Sequence, residues 1–121
     1  MSQILIVLAE RKLYLYFNNS LDKILPVAIG KESTPTPTGS FSIINKIIEP
    51  YNPALGSRWL QFSYQMHGIH GTNQPQLIGK AVSHGCVRMY NQDVEYIFSK
   101  VSIGTPVEIK TYLSSKLIKR S

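Results

Sequence analysis

Short blocks of β-branched and aromatic residues, each closed by turn formers, run along most of this chain and leave room for little but a mainly-β fold. Residues 3–9 predict a strand. Residues 12–17 predict a second, with Leu13, Leu15 and Phe17 on one face and Tyr14 and Tyr16 on the other, and Glu10-Arg11 closing a hairpin between the two. Asn18-Asn19-Ser20 tolerate left-handed backbone and bond to their own main chain, so the chain reverses and returns over residues 23–29 as the third strand of a meander.

In Thr34-Pro35-Thr36-Pro37-Thr38-Gly39 each proline fixes its own φ and extends its predecessor, which excludes helix and suggests a rigid linker between sheets. Further strands are expected over residues 41–48, 59–64 and 106–111. One helix interrupts them, near residues 92–101: Asn91 is placed to cap it, Asp93 to meet the macrodipole, and Val94, Ile97, Phe98 and Val101 recur at i, i+3, i+4 and i+7. Gly104 suits the exit.

A length of 121 residues predicts a single domain over residues 1–121, and 43% apolar composition is enough for its core. Residues 4–9 are apolar but too short to span a bilayer and lack a basic leader, so neither membrane insertion nor an export signal is expected from them. Thirteen Lys and Arg against seven Asp and Glu give +6, which attracts polyanions such as nucleic acid, an anionic membrane or an anionic wall polymer. Part of that excess, Lys116, Lys119 and Arg120, reads as a solvated, frayed terminus. Nucleic acid is disfavoured because Tyr14, Tyr16, Tyr51, Trp59 and Tyr64 lack the Arg and Gly interleaving of an RNA-recognition face.

Chemistry concentrates between Met66 and Cys86, which hold all three histidines and the single cysteine. One cysteine excludes a disulfide framework and a multi-cysteine metal site. The thiol of Cys86 follows Gly85 and lies within two residues of His84 and Arg88, whose positive charge would favour the thiolate. Gly85 allows close approach of a carbonyl, so the amides of Gly85 and Cys86 are candidates for an oxyanion hole. His70, sixteen positions upstream between two glycines, is the candidate base. His67, His70 and Cys86 outline a two-His, one-Cys set, weak for zinc; His67 reads better as a packed or solvent-facing histidine, and no metal or cofactor is expected.

Gly68-Ile69-His70-Gly71-Thr72-Asn73, Ile78-Gly79 and Ser83-His84-Gly85-Cys86-Val87-Arg88-Met89 together resemble the signature of the YkuD-type L,D-transpeptidase catalytic domain. The opening hairpin, Thr36-Pro37-Thr38-Gly39, the helix and Gly104-Thr105-Pro106-Val107 extend the likeness over nearly the whole chain. The resemblance implies a mainly-β, sandwich- or barrel-like YkuD fold and a cysteine acyltransferase acting on peptidoglycan stem peptides. Cys86 would attack the third residue's carbonyl of a tetrapeptide donor, release the terminal D-alanine, and form 3→3 cross-links; with water as acceptor the same thioester gives an L,D-carboxypeptidase. His70 would be the base, as triad logic requires. His84 would line the oxyanion region or orient the thiol, while Ser83 and Thr72 would support by hydrogen bonding. Arg88 matches the branch of the family with Arg rather than Asn at this place, and would pair with a substrate carboxylate or hold the loop. Carbapenem β-lactams are the implied covalent inhibitors, and the cell envelope or periplasm the implied location. A wall-binding module without activity is the competing reading, weakened by the presence of both His70 and Cys86.

Overall fold

A computed structural model describes residues 1–113. Lys116, Lys119 and Arg120 lie outside the described residues. The fold is mainly β, with one α-helix among the described residues.

The expected meander forms as β1 (Ser2–Val7), β2 (Lys12–Phe17) and β3 (Ser20–Pro26), all antiparallel. Leu13 and Leu15 are buried, and Asn18 and Asn19 turn the chain at φ 51° and 67°, the left-handed region their short polar side chains tolerate. β3 starts and ends earlier than expected, and a separate short strand β4 (Ile29–Gly30) follows.

Residues 41–48 do not form one strand. They split into β5 (Gly39–Ser42) and β6 (Asn45–Ile48), which belong to different sheets. The switch occurs between two adjacent isoleucines: Ile43 N–H bonds to Thr105 of one sheet's last connection, Ile44 N–H to Gln61 of the other sheet. β7 (Arg58–Gln61) is also shorter than expected, because residues 63–66 turn and Met66 takes φ 66°. The hairpin partner is β8 (Gly68–His70). β9 (Ala81–Ser83) and β10 (Val87–Arg88) precede the helix α1 (Asn91–Lys100), and β11 (Pro106–Lys110) comes last.

One sheet has the order β3-β2-β1-β11-β5 and the other β10-β8-β7-β6, with β4 and β9 paired in parallel beside them. Their buried faces share one core with the helix: Ile4, Ile6, Leu13, Leu15 and Ile109 from the first sheet, Leu60, Ile69 and Val87 from the second, Val94 and Ile97 from α1. Such close-packed apolar burial is the main stabilising term. Lys46 closes the helix C-terminus by donating to the carbonyls of Phe98 (2.9 Å) and Val101 (2.7 Å), groups the helix itself leaves unpaired.

Asn91 does not cap the helix. Tyr90 holds that position without a side-chain bond, and Asn91 begins the helix proper. Its amide is engaged elsewhere.

Candidate active site

Strand register assembles the site. Val87 and Ile69 pair across the parallel strands β10 and β8, as do Arg88 and His70, while Trp59 of β7 lies opposite His70 and Ile47 of β6 opposite Trp59. Side chains alternate along each strand. Leu60, Ile69 and Val87 therefore enter the core, and Ile47, Trp59, His70 and Arg88 form a row on the other face, with Cys86 just before β10 on the same side. The sixteen-residue separation of His70 and Cys86 is thus spanned by a crossover between neighbouring parallel strands.

His70 is buried, 3% exposed, and its ring stacks on Trp59 at 5.8 Å and 27°. Gly68 makes room for that aromatic wall: a Cβ there would stand 2.5–2.8 Å from three ring atoms of Trp59. Nδ1 meets the Gly71 carbonyl, which can only accept, so Nδ1 carries the proton and Nε2 the lone pair. Burial pulls the imidazole down to about 4, with the Arg88 charge acting the same way; the carbonyls of Gly71 and Leu55 oppose them. The ring is neutral at neutral pH.

For Cys86 the balance differs from the sequence expectation. Arg88 and a Gly68 backbone hydrogen bond do favour the thiolate, but burial outweighs them and the thiol is raised above its ordinary value. Its Sγ lies 3.7 Å from the Met66 carbonyl. At neutral pH the thiol is therefore protonated and the imidazole neutral.

Ser83 is buried and pins the Cys86 loop, its hydroxyl donating to Cys86 O (2.6 Å) and accepting from Gly85 N–H (3.1 Å). This changes the oxyanion expectation. Gly85 N–H is occupied, whereas Cys86 N–H has no partner among the described residues. His84 is exposed and its side chain makes no hydrogen bond among the described residues. Arg88 is partly buried and makes no ion pair among the described residues, where Arg58–Glu49 is the single one.

Two elements given lesser roles in the sequence reading support this arrangement. The proline-rich segment is more than a linker: Thr34 Oγ1 donates to Ser83 O (2.9 Å), and buried Thr36 accepts Gly30 N–H (2.9 Å). Asn91 accepts the N–H groups of Ser57 (3.2 Å) and Thr72 (3.1 Å) and donates to Thr72 O (3.1 Å), fixing the loop that leaves His70. Asn91→Ala removes these bonds from partly solvated groups and is expected to cost about 1 kcal/mol of stability, read by urea unfolding; a change below a few tenths would show that water replaces the amide fully.

An apolar cleft of 380 Å³ opens beside the thiol, walled by Ile47, Tyr51, Leu55, Trp59 and Met66, with Cys86 in its lining. Of these, the sequence reading singled out Cys86 alone as a site residue. The walls carry no motif, since only the register reveals that Ile47 and Trp59 share a face with His70. His67 packs between Phe62 and Gly85 rather than joining a metal set, and among the described residues no three His, Cys, Asp or Glu cluster as ligands would.

Known proteins share both sequence and fold. The family model for the L,D-transpeptidase catalytic domain matches residues 2–109. "Putative L,D-transpeptidase YkuD" of Bacillus subtilis is 49% identical over 106 residues, 88% of this chain and 64% of that protein. "Putative L,D-transpeptidase YqjB" of the same organism is 36% identical over 81% of this chain and 65% of its own length. This chain thus spans slightly under two thirds of those relatives. Among solved structures, L,D-transpeptidase 3 of Mycobacterium tuberculosis superposes with a TM-score of 0.83 at 17% identity, over 90% of this chain and 60% of the other. The catalytic domain of the Enterococcus faecium L,D-transpeptidase gives 0.78 at 24% identity, over 90% and 96%. Sequence match, register and fold agree that the chain belongs to the L,D-transpeptidase catalytic domain family.

Proposed function

We propose that this chain acts, as a single catalytic domain, as a cysteine acyltransferase on peptidoglycan stem peptides. The observation that carries the reading is the placement of buried, neutral His70 on the same sheet face as the thiol of Cys86, beside an apolar cleft. His70 takes the thiol proton as sulfur attacks the donor carbonyl, and the Gly71 and Leu55 carbonyls steady the imidazolium that forms. Cys86 N–H faces the developing oxyanion. The proton then passes to the leaving D-alanine amine, and the thioester goes to an acceptor amine, giving a 3→3 cross-link, or to water, giving a carboxypeptidase.

Arg88 supplies the carboxylate recognition such a donor requires, since its guanidinium is uncommitted and no acidic side chain bonds to it among the described residues. Ser83 holds the loop.

β-Lactams are the natural probe, because attack on their ring stops at a stable acyl-enzyme; a Mycobacterium tuberculosis L,D-transpeptidase of this fold has been solved with a faropenem-derived adduct. Mass spectrometry after incubation with a carbapenem should show one adduct on Cys86 and none on Cys86→Ala. A folded protein that stays unmodified would overturn the reading. Incubation with defined tetrapeptide muropeptides then separates cross-linked dimer from tripeptide product.

A further inference from the structure

The hairpin turn between β7 and β8 reaches the nucleophile loop through two side chains that the mechanism above does not use, Ser63 and His67. The Ser63 hydroxyl accepts the N–H groups of Gln65 (3.1 Å) and His67 (3.2 Å). Its own proton is then directed to His67 Nδ1, 2.9 Å away. A hydroxyl has one proton to give, so Nδ1 is an acceptor and the imidazole is held as the Nε2–H tautomer.

The ring so fixed stacks on Phe62, with centroids 6.1 Å apart and planes inclined by 19°. Its other edge lies on Gly85. A Cβ at Gly85 would stand 3.0 Å from His67 Cδ2 and 3.1 Å from Nε2, so the imidazole fills the space a side chain would need. Gly85 has φ 122°, a conformation rarely adopted by other residues, and nothing in its own chemistry keeps it there. Contacts hold this loop from outside: Ser83 on Gly85 N–H and Cys86 O, His67 on the body of Gly85, and the Met66 carbonyl and Gly68 backbone on the thiol. They leave the Cys86 N–H open among the described residues.

We propose that Ser63 and His67 act as a positioning pair, which holds Gly85 at positive φ and so keeps Cys86 N–H aimed at the acyl oxygen. His67 touches neither substrate nor thiol in this role; it works through the backbone. The inference rests on the acyl-transfer reading, and it separates two steps that share one sulfur. Attack on a carbonyl builds an oxyanion and needs the amide. Alkylation by iodoacetamide displaces iodide at a saturated carbon and builds none.

The test compares both reactions on the unaltered chain, His67→Ala and Ser63→Ala, with circular dichroism and Tm checking that each variant is folded. Carbapenem acylation of Cys86 should slow at least about ten-fold in His67→Ala, below the ~10²–10³-fold expected when an oxyanion donor is lost outright. Ser63→Ala, which keeps the ring but frees its tautomer, should slow it several-fold. Iodoacetamide alkylation at matched pH should change less than about two-fold in either. Equal slowing of both reactions would overturn the proposal, because the pair would then act on the thiol itself. Unchanged acylation in both folded variants would overturn it too. If His67→Ala does not fold, Ser63→Ala decides alone. An unaltered chain that is alkylated yet never acylated would instead bring down the acyl-transfer reading, and this inference with it.

Discussion

His70→Ala should lower acyl transfer from stem peptides by roughly 10²–10⁴-fold at neutral pH while leaving the fold intact, the range a positioned base contributes. The effect sits at the upper end of what one histidine gives because burial raises the Cys86 thiol, so little thiolate exists at rest without a base. It should also depend on pH in a definite direction. As pH climbs past the ordinary thiol range, solvent hydroxide generates thiolate in the variant and the gap to the unaltered protein narrows. Rates of carbapenem acylation and of tripeptide release across pH 6–10 measure this. Near-normal turnover of the variant at pH 7 would place the base elsewhere.

The same histidine should make the fold sensitive to acid. Its folded value is about 4, against 6.5 for the ordinary side chain, so between these limits the unfolded chain binds the extra proton. Stability is then fully retained above pH 6.5 and declines as pH falls toward 4. At about 1.4 kcal/mol per pH unit the gap amounts to ~3 kcal/mol, an order-of-magnitude figure for a side chain this deeply buried. Asp93, whose carboxyl burial raises, works with the opposite slope at low pH, so the comparison must be with His70→Ala rather than with pH alone. Urea unfolding of both proteins from pH 7 to 4 should show the unaltered chain losing more stability than the variant. Parallel curves would mean that the imidazole already takes up its proton inside the folded site.

These expectations draw unequally on sequence and structure. The meander was legible because Leu13 and Leu15 alternate with Tyr14 and Tyr16, and because Asn18-Asn19 sits where the chain must turn. The split of residues 41–48 was not. Ile43, Ile44, Ile47 and Ile48 suit either sheet equally, and apolar pattern does not report which backbone partner an amide will find. Asn91 looked like a cap because its side chain commonly serves one; three backbone groups of Ser57 and Thr72 claimed it instead, a tertiary demand with no local trace.

At the site, residue order pointed to His70 and Cys86, since each stands in a short contiguous motif of its own. Their electrostatics were not legible. Counting charged neighbours of Cys86 along the chain favours a thiolate, whereas the burial that decides the matter comes from distant segments, among them the turn at Met66. The same turn hid behind an expected strand over residues 59–64, and with it the roles of Ser63 and His67.

The parallel pairing of β8 with β10 has a consequence for how the thiol and the imidazole come together. Antiparallel neighbours can meet through a tight turn early in folding, but these two must wait for a crossover that itself docks β9 against β4. Until that long loop closes, the imidazole and the thiol lie apart. The nearness of imidazole and thiol is therefore a product of long-range closure rather than of any local turn.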